Sequence, residues 1–367
     1  MDRPLLPTET PRLSRTVFEV ASPGSFLRLF GKKAPREAHC PKCTQRTSIR
    51  ACPNCHSPFP HGVDELSNMV IAIIGSKETG KSNYIAVLIQ RIYELYEQFQ
   101  WTLLAMDDAT MKLYKSTFYS PLYESGMAVD VTGTGAAVGA VVRNPLLYSL
   151  SITTGHKLKT ITLAFFDTAG EDLSDRDGGF DVIESMGKIN RYIYNASGII
   201  LLVDPLMVPE IRKKVELSGI PGMMSHPANT AAGNIISRAA ELIYRSQNLP
   251  RSKKIDIPLA VVFSKIDLLK SILGTDAAVY QQSRHRGGFS LADFQNNNDC
   301  IRDWISEYDK QFMQATPLFK DSAFFGISAL GGNPDTNRKL PFPKPHPIRA
   351  EDPFLWLLWK NGIIKKQ

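Results

Sequence analysis

Residues 73–84 read IIGSKETGKSNY. From Gly75 to Ser82 the spacing is G-x-x-x-x-G-K-S, the signature of a loop that cradles phosphates with backbone N–H groups. Such a loop works only between a buried strand and a helix, and the flanking residues supply both. Asn68–Ile74 is a β-rich apolar run, and from Lys81 to Gln98 apolar residues recur at Ile85, Leu88, Ile89, Ile92 and Leu95, a helical spacing. Strand, glycine loop and helix in this order restrict the chain to an α/β architecture. Gly75, Ser76, Lys77, Glu78, Thr79, Gly80, Lys81 and Ser82 are therefore the candidates to hold a triphosphate, with Lys81 on the β- and γ-phosphates and Ser82 on magnesium.

Alternation of strands and helices continues downstream. Leu146–Ile152 and Lys159–Phe166 read as a hairpin turning at Gly155-His156, and Gly198–Val203, Leu259–Phe263 and Ala323–Ile327 as further short strands. Helical segments are expected over about 182–196, 231–247 and 291–315. The pattern predicts a mostly parallel sheet with helices on both faces. Intervals near 206–230 and 271–290 exceed what simple connections need and read as surface insertions. In the C-terminal DPFLWLLWKNGII, Trp356 and Trp359 lie among leucines, so a helix docking on the core is expected there.

Chemistry-bearing residues cluster at the C-terminal ends of these strands, the edge where open α/β sheets bind ligands. Asp167-Thr168-Ala169-Gly170-Glu171 follows the hairpin; Asp167 can hold magnesium through water, and the Gly170 N–H can approach a terminal phosphate. Ser264-Lys265-Ile266-Asp267 follows Phe263; the Asp267 carboxylate can accept from the guanine N1–H and exocyclic amine, and the Lys265 stem can cover a base. Ser328-Ala329-Leu330 offers backbone N–H groups to the guanine O6. Each motif alone is weak, whereas four in this order form a coherent site.

The first fifty residues are different in kind. They carry ten Lys and Arg against four Asp and Glu, which accounts for most of the net charge of +7. Residues 1–37 read as a basic irregular leader, able to meet an acidic partner, RNA or an anionic membrane, or simply solvated. Cys40-Pro-Lys-Cys43 and Cys52-Pro-Asn-Cys55 stand eight residues apart. Two such knuckles suit one tetrahedral zinc, whose binding would supply most of the folding energy of so small a module. His39, His56 and His61 read as loop residues beside a ligand shell already filled by Cys40, Cys43, Cys52 and Cys55; Cys300 stands alone. The longest apolar runs fall well short of the ~20 residues that cross a bilayer, and residues 1–20 lack a secretory core, so a cytoplasmic location is expected.

DTAG, SKID and SAL, following the glycine loop, resemble the G3, G4 and G5 motifs of P-loop GTPases of the translation-factor-related and Ras-like class. GSKETGKSNYIAVL, FFDTAGED, LLVDP and EDPFLWLLWKNG are most similar to the bacterial double-GTPase 2 family, which also carries a leading zinc ribbon. The resemblance implies a P-loop NTPase three-layer sandwich with a mostly parallel sheet, preceded by a small zinc ribbon. Its expected divisions are the leader at 1–37, ribbon and linker at 38–62, GTPase domain at 63–335, and a C-terminal extension at 336–367. It further implies a magnesium-dependent GTP-hydrolysing switch, with GTP or GDP, Mg2+ and Zn2+ as cofactors. Protein partners encoded nearby are expected, a second GTPase among them, in systems serving conflict or phage defence. Lys81, Gly170 and Glu171 would carry the catalysis. Ser264 replaces the usual Asn, Glu171 replaces the water-orienting Gln, and either Thr132 or Thr134 would be the switch threonine. Glu171 suggests turnover that is slow without a partner. The alternatives are a non-hydrolysing GTP-sensing adaptor and a zinc-ribbon nucleic-acid binder regulated by GTP; few aromatics in the knuckle disfavour the second.

Overall fold

The computed structural model describes residues 38–39, 43–47, 50–51, 58–59, 66–75, 79–129, 145–154, 157–167, 196–217 and 233–367. Its contacts divide the chain into residues 1–67 and 68–367. In the first unit, Ala38–His39 pairs antiparallel with Arg46–Thr47, and Arg50–Ala51 with Pro58–Phe59. Cys43 is exposed there, and the His39 ring meets the Thr44 carbonyl oxygen at 3.0 Å.

The second unit is α/β with a mostly parallel mixed sheet of seven strands. In chain order the strands are β1 (Ser67–Gly75), β2 (Trp101–Ala105), β3 (Leu146–Thr154), β4 (Lys157–Asp167), β5 (Gly198–Val203), β6 (Leu259–Phe263) and β7 (Ser322–Gly326). Their spatial order is β7-β6-β5-β1-β4-β3-β2, with β1 beside β5, β5 beside β6 and β6 beside β7 all parallel. The β3–β4 and β2–β3 pairs are antiparallel. Strands β1, β5 and β6 are near-continuous apolar runs because both their faces are covered.

The labelled helices are α1 (Lys81–Glu94), α2 (Asp108–Leu113), α3 (Pro209–Leu217), α4 (Gly233–Ser246), α5 (Leu291–Tyr308), α6 (Lys310–Ala315) and α7 (Asp352–Lys360). One core holds α1, α7 and alternate residues of the sheet, such as Ile71, Ile73, Leu103, Leu150 and Leu163. The other holds α3, α4, α6 and much of α5 against Ala72, Ile74, Leu201 and Val261. The C-terminal α7 sits inside the first core, with Trp356 only 1% exposed. No helix among the described residues is long and apolar enough to cross a membrane.

Three elements differ from the expectation. The helix predicted to reach Gln98 ends at Glu94, and a separate turn, Tyr96–Phe99, stops at a left-handed Gln100 with φ 51°. The indole of Trp101 then donates to the Ile92 carbonyl at 2.8 Å, satisfying an oxygen freed by the break. This break creates β2, which no strand was predicted to occupy. After α2, Tyr114–Glu124 is a π-helix with Pro121 inside it. The helix expected over 291–315 is divided by Asp309, whose carboxylate caps α6 through the Gln311 N–H at 2.8 Å. The helix expected over 182–196 lies almost wholly outside the described residues.

Candidate functional site

The parallel strands β1, β5, β6 and β7 end on one edge of the sheet, and most described candidate residues gather there. At the end of β1, a Cβ on Gly75 would lie 2.6 Å from the Leu202 carbonyl oxygen, so only glycine fits beside β5 here. Gly80 caps α1 in a left-handed conformation with φ 83°, which favours glycine. Lys81 follows immediately, 6% exposed, and its ammonium donates to the Gly75 carbonyl at 2.8 Å. Thr79 and Ser82 are buried beside it. The amide oxygen of Asn83 accepts from the Val129 N–H at 2.9 Å, which ties Val129 to α1.

The ends of β5, β6 and β7 are tied by side chains. The Ser264 hydroxyl donates to the Val203 carbonyl at 3.2 Å. Lys265 is left-handed at φ 53° and pairs with the buried Asp204 at 2.6 Å. Asp204 also accepts from the Leu206 N–H at 2.9 Å. The Ile266 N–H donates to the Ile327 carbonyl at 3.0 Å, which brings the β6 and β7 ends together. Asp267 is half-buried; desolvation raises its carboxyl pKa, against a lowering hydrogen bond from Ser328. Ser328 also accepts from the Gly331 N–H at 2.9 Å, while Ala329 and Leu330 pack on the first core.

Asp167 ends β4, and nothing is described of its side chain. Ser76, Lys77, Glu78, Thr132, Thr134, Gly170, Glu171, Cys40, Cys52 and Cys55 lie outside the described residues.

A second polar cluster had no motif to announce it. Arg349 is buried with φ 50°, and its guanidinium grips Asp293 at 3.0 Å and Asp352 at 2.7 Å. His285 lies beside them. Its Nδ1 accepts from the Ser290 N–H at 2.9 Å, which leaves the proton of the neutral ring on Nε2, 3.6 Å from Asp352 Oδ1. Burial lowers the His285 pKa to about 4 and raises that of Asp352 to about 7. His285, Asp293 and Asp352 are close enough together to suggest a metal site. The chemistry opposes it: Nε2 carries the proton rather than a lone pair, and Arg349 already donates to both oxygens of Asp293 and to one of Asp352. This cluster locks the 281–293 segment to the start of α7. The signals that it existed were only an arginine three residues before an aspartate and a histidine far upstream.

No protein-family model matches the chain. A protein of Mycolicibacterium smegmatis named "Putative ESX-1 scaffolding and assembly protein SaeC" is 25% identical over 349 residues. The match spans 90% of this chain and 84% of that protein.

That likeness overturns the GTPase reading. Its name is one of holding proteins together, not of turnover. The assignment to P-loop GTPases and the double-GTPase 2 family, the GTP-hydrolysing switch with catalytic Lys81, Gly170 and Glu171, and its two GTP-dependent alternatives are corrected accordingly. Guanine nucleotide as the partner is unsupported. The physical reason lies in what the short motifs report. S-K-I-D and S-A-L mark polar residues at strand ends, and here those residues fasten neighbouring strand ends to one another. An α/β framework needs such fastenings whether or not it performs a reaction.

Proposed function

We propose that this chain is a scaffolding and assembly component that holds protein partners in a larger complex, as the name of its mycobacterial relative describes for that protein. The observation that carries the reading is the length of the likeness. It runs over 90% of the chain rather than over one loop, so the compared property is the whole framework. The framework suits such a role: two covered cores stiffen the sheet, and the buried Arg349 network anchors the C-terminal helix. Crosslinking the full chain in its own cells and identifying the joined peptides tests this. Recurrent links to a small set of proteins are expected; a chain that yields none is not a scaffold.

Two ligands accompany the proposal. A phosphate-bearing group with magnesium would sit on the loop from Gly75 to Ser82, because a buried ammonium and a helix N-terminus meet there. Lys81, Ser82 and Asp167 would hold these charges, and the role is structural. Titration with tripolyphosphate and magnesium should show saturable binding that Lys81→Ala abolishes. Zinc would be held by Cys40, Cys43, Cys52 and Cys55, and about one zinc per chain should be lost in Cys40→Ser.

A further inference from the structure

The strand β2 closes one side of the sheet, and its outer edge is open. Its register with β3 pairs Trp101 with Ile152 and Ala105 with Tyr148. The Met106 N–H donates to the Leu147 carbonyl at 2.9 Å, and the Thr153 N–H to the Gln100 carbonyl at 3.0 Å. Hydrogen-bonded pairs therefore fall on even-numbered residues, and the N–H and C=O groups of Trp101, Leu103 and Ala105 point away from β3. Among the described residues, no strand pairs with that side. Edge strands are commonly blunted by a lysine, a proline or a bulge, yet WTLLA contains no charge and no proline.

The surroundings form a place to dock. A groove of about 260 Å3 runs along the edge, lined by Tyr93, Tyr96, Trp101, Thr102 and Leu103. Tyr96 is 55% exposed and Leu104 59% exposed. Residues 93–108 carry Glu94, Glu97, Asp107 and Asp108 and neither lysine nor arginine. Glu94 pairs with Arg91 at 2.8 Å and Asp107 caps α2 by accepting from the Thr110 N–H, so the acidity of this rim rests on Glu97 and Asp108. Glu94, Glu97 and Asp108 are exposed.

We propose that this edge receives an extended, cationic segment of a protein partner, which adds as an eighth strand beside β2. Main-chain hydrogen bonds to Trp101, Leu103 and Ala105 would give the affinity, the tyrosines would pack on its side chains, and the acidic rim would select lysine or arginine. A second copy of this chain fits less well, because an antiparallel β2–β2 contact would bring the acidic end of each copy onto that of the other. The proposal rests on the scaffolding reading and names the surface that serves it.

The test uses the full chain and three synthetic peptides. One alternates valine and threonine between lysine ends, one has glutamate ends, and one repeats the first with N-methylated backbone. Saturable binding is expected for the lysine peptide, with new exchange protection at the Trp101, Leu103 and Ala105 amides. Affinity at least tenfold lower is expected for the other two peptides. The double variant Glu97→Lys, Asp108→Lys should reverse the preference between lysine and glutamate ends. Equal binding of the two charged peptides, or protection elsewhere, overturns the proposal. Concentration-dependent protection of the same amides without peptide overturns it too, in favour of self-association. The scaffolding reading fails separately: partner crosslinks that persist unchanged in the double variant sink only this surface, whereas absence of crosslinks in the unaltered chain sinks the scaffold.

Discussion

β1 and β2 belong to one sheet and were made by opposite rules. β1 sits in the middle, with neighbours on both sides and a helix layer on each face; Ile71, Ala72, Ile73 and Ile74 have no exposed surface. β2 sits at the open side, pairs once, and alternates buried Trp101 and Leu103 with exposed Thr102 and Leu104. The central strand was read directly from its unbroken apolar run, because burial on both faces leaves no polar position. The edge strand at Trp101–Ala105 lies beyond the helix read to Gln98 and has no element assigned to it in the sequence, because half of its residues face water. β7 at the other end of the sheet also has a single strand neighbour, yet its apolar run is legible because four of its five residues are buried, so what hides β2 is the alternation of buried and exposed residues rather than its edge position.

The comparison can be broken most forcefully in the interior. Ile73→Ala leaves a cavity between β1 and α1 and should cost about 2–5 kcal/mol in chemical denaturation. A loss under ~1 kcal/mol would mean that the centre of the sheet is not the rigid part. Next, Lys265→Ala removes the counter-charge of Asp204. Asp204 keeps its bond from Leu206, and Lys265 is partly solvated, so a cost of roughly 1–2 kcal/mol is expected rather than that of a fully buried pair.

The buried cluster provides a pH test. His285 has a folded pKa below its unfolded value, so its contribution grows as pH rises from about 4 to the ordinary histidine range. Asp352 has a folded pKa raised to about 7, so its contribution is greatest near pH 4 and is lost as pH rises to about 7. The two oppose each other over most of that window. Denaturation of the unaltered chain should show little dependence from this cluster, whereas Asp352→Asn should leave a stability that climbs with pH by on the order of 1–3 kcal/mol. A fall with rising pH would contradict the assignment. The smallest effect belongs to the edge: Leu104→Lys should change stability by less than ~0.5 kcal/mol, since its side chain already faces water.

Much of the fold was legible where periodicity was strong. The runs at 68–74, 198–203, 259–263 and 323–327 correspond to β1, β5, β6 and β7, the last displaced by one residue. Gly75 and Gly80 marked a true backbone constraint, a close approach and a left-handed turn. Function was less legible, because the same residues that could choose a base can also tie strand ends. Ser264, Lys265 and Asp267 are spaced for either use, and spacing does not distinguish them. Arg349 and His285 lie 64 positions apart in a chain whose local pattern there is irregular, so only the folded structure could join them.

The central claim is that this chain holds other proteins. Its most direct test is crosslinking of the full chain in living cells, with the joined peptides read by mass spectrometry and compared with the Glu97→Lys, Asp108→Lys variant. The account predicts recurrent partner peptides linked within residues 93–115 and their loss in the variant. A chain found only as a lone protomer, with no partner peptides anywhere along its length, would contradict it.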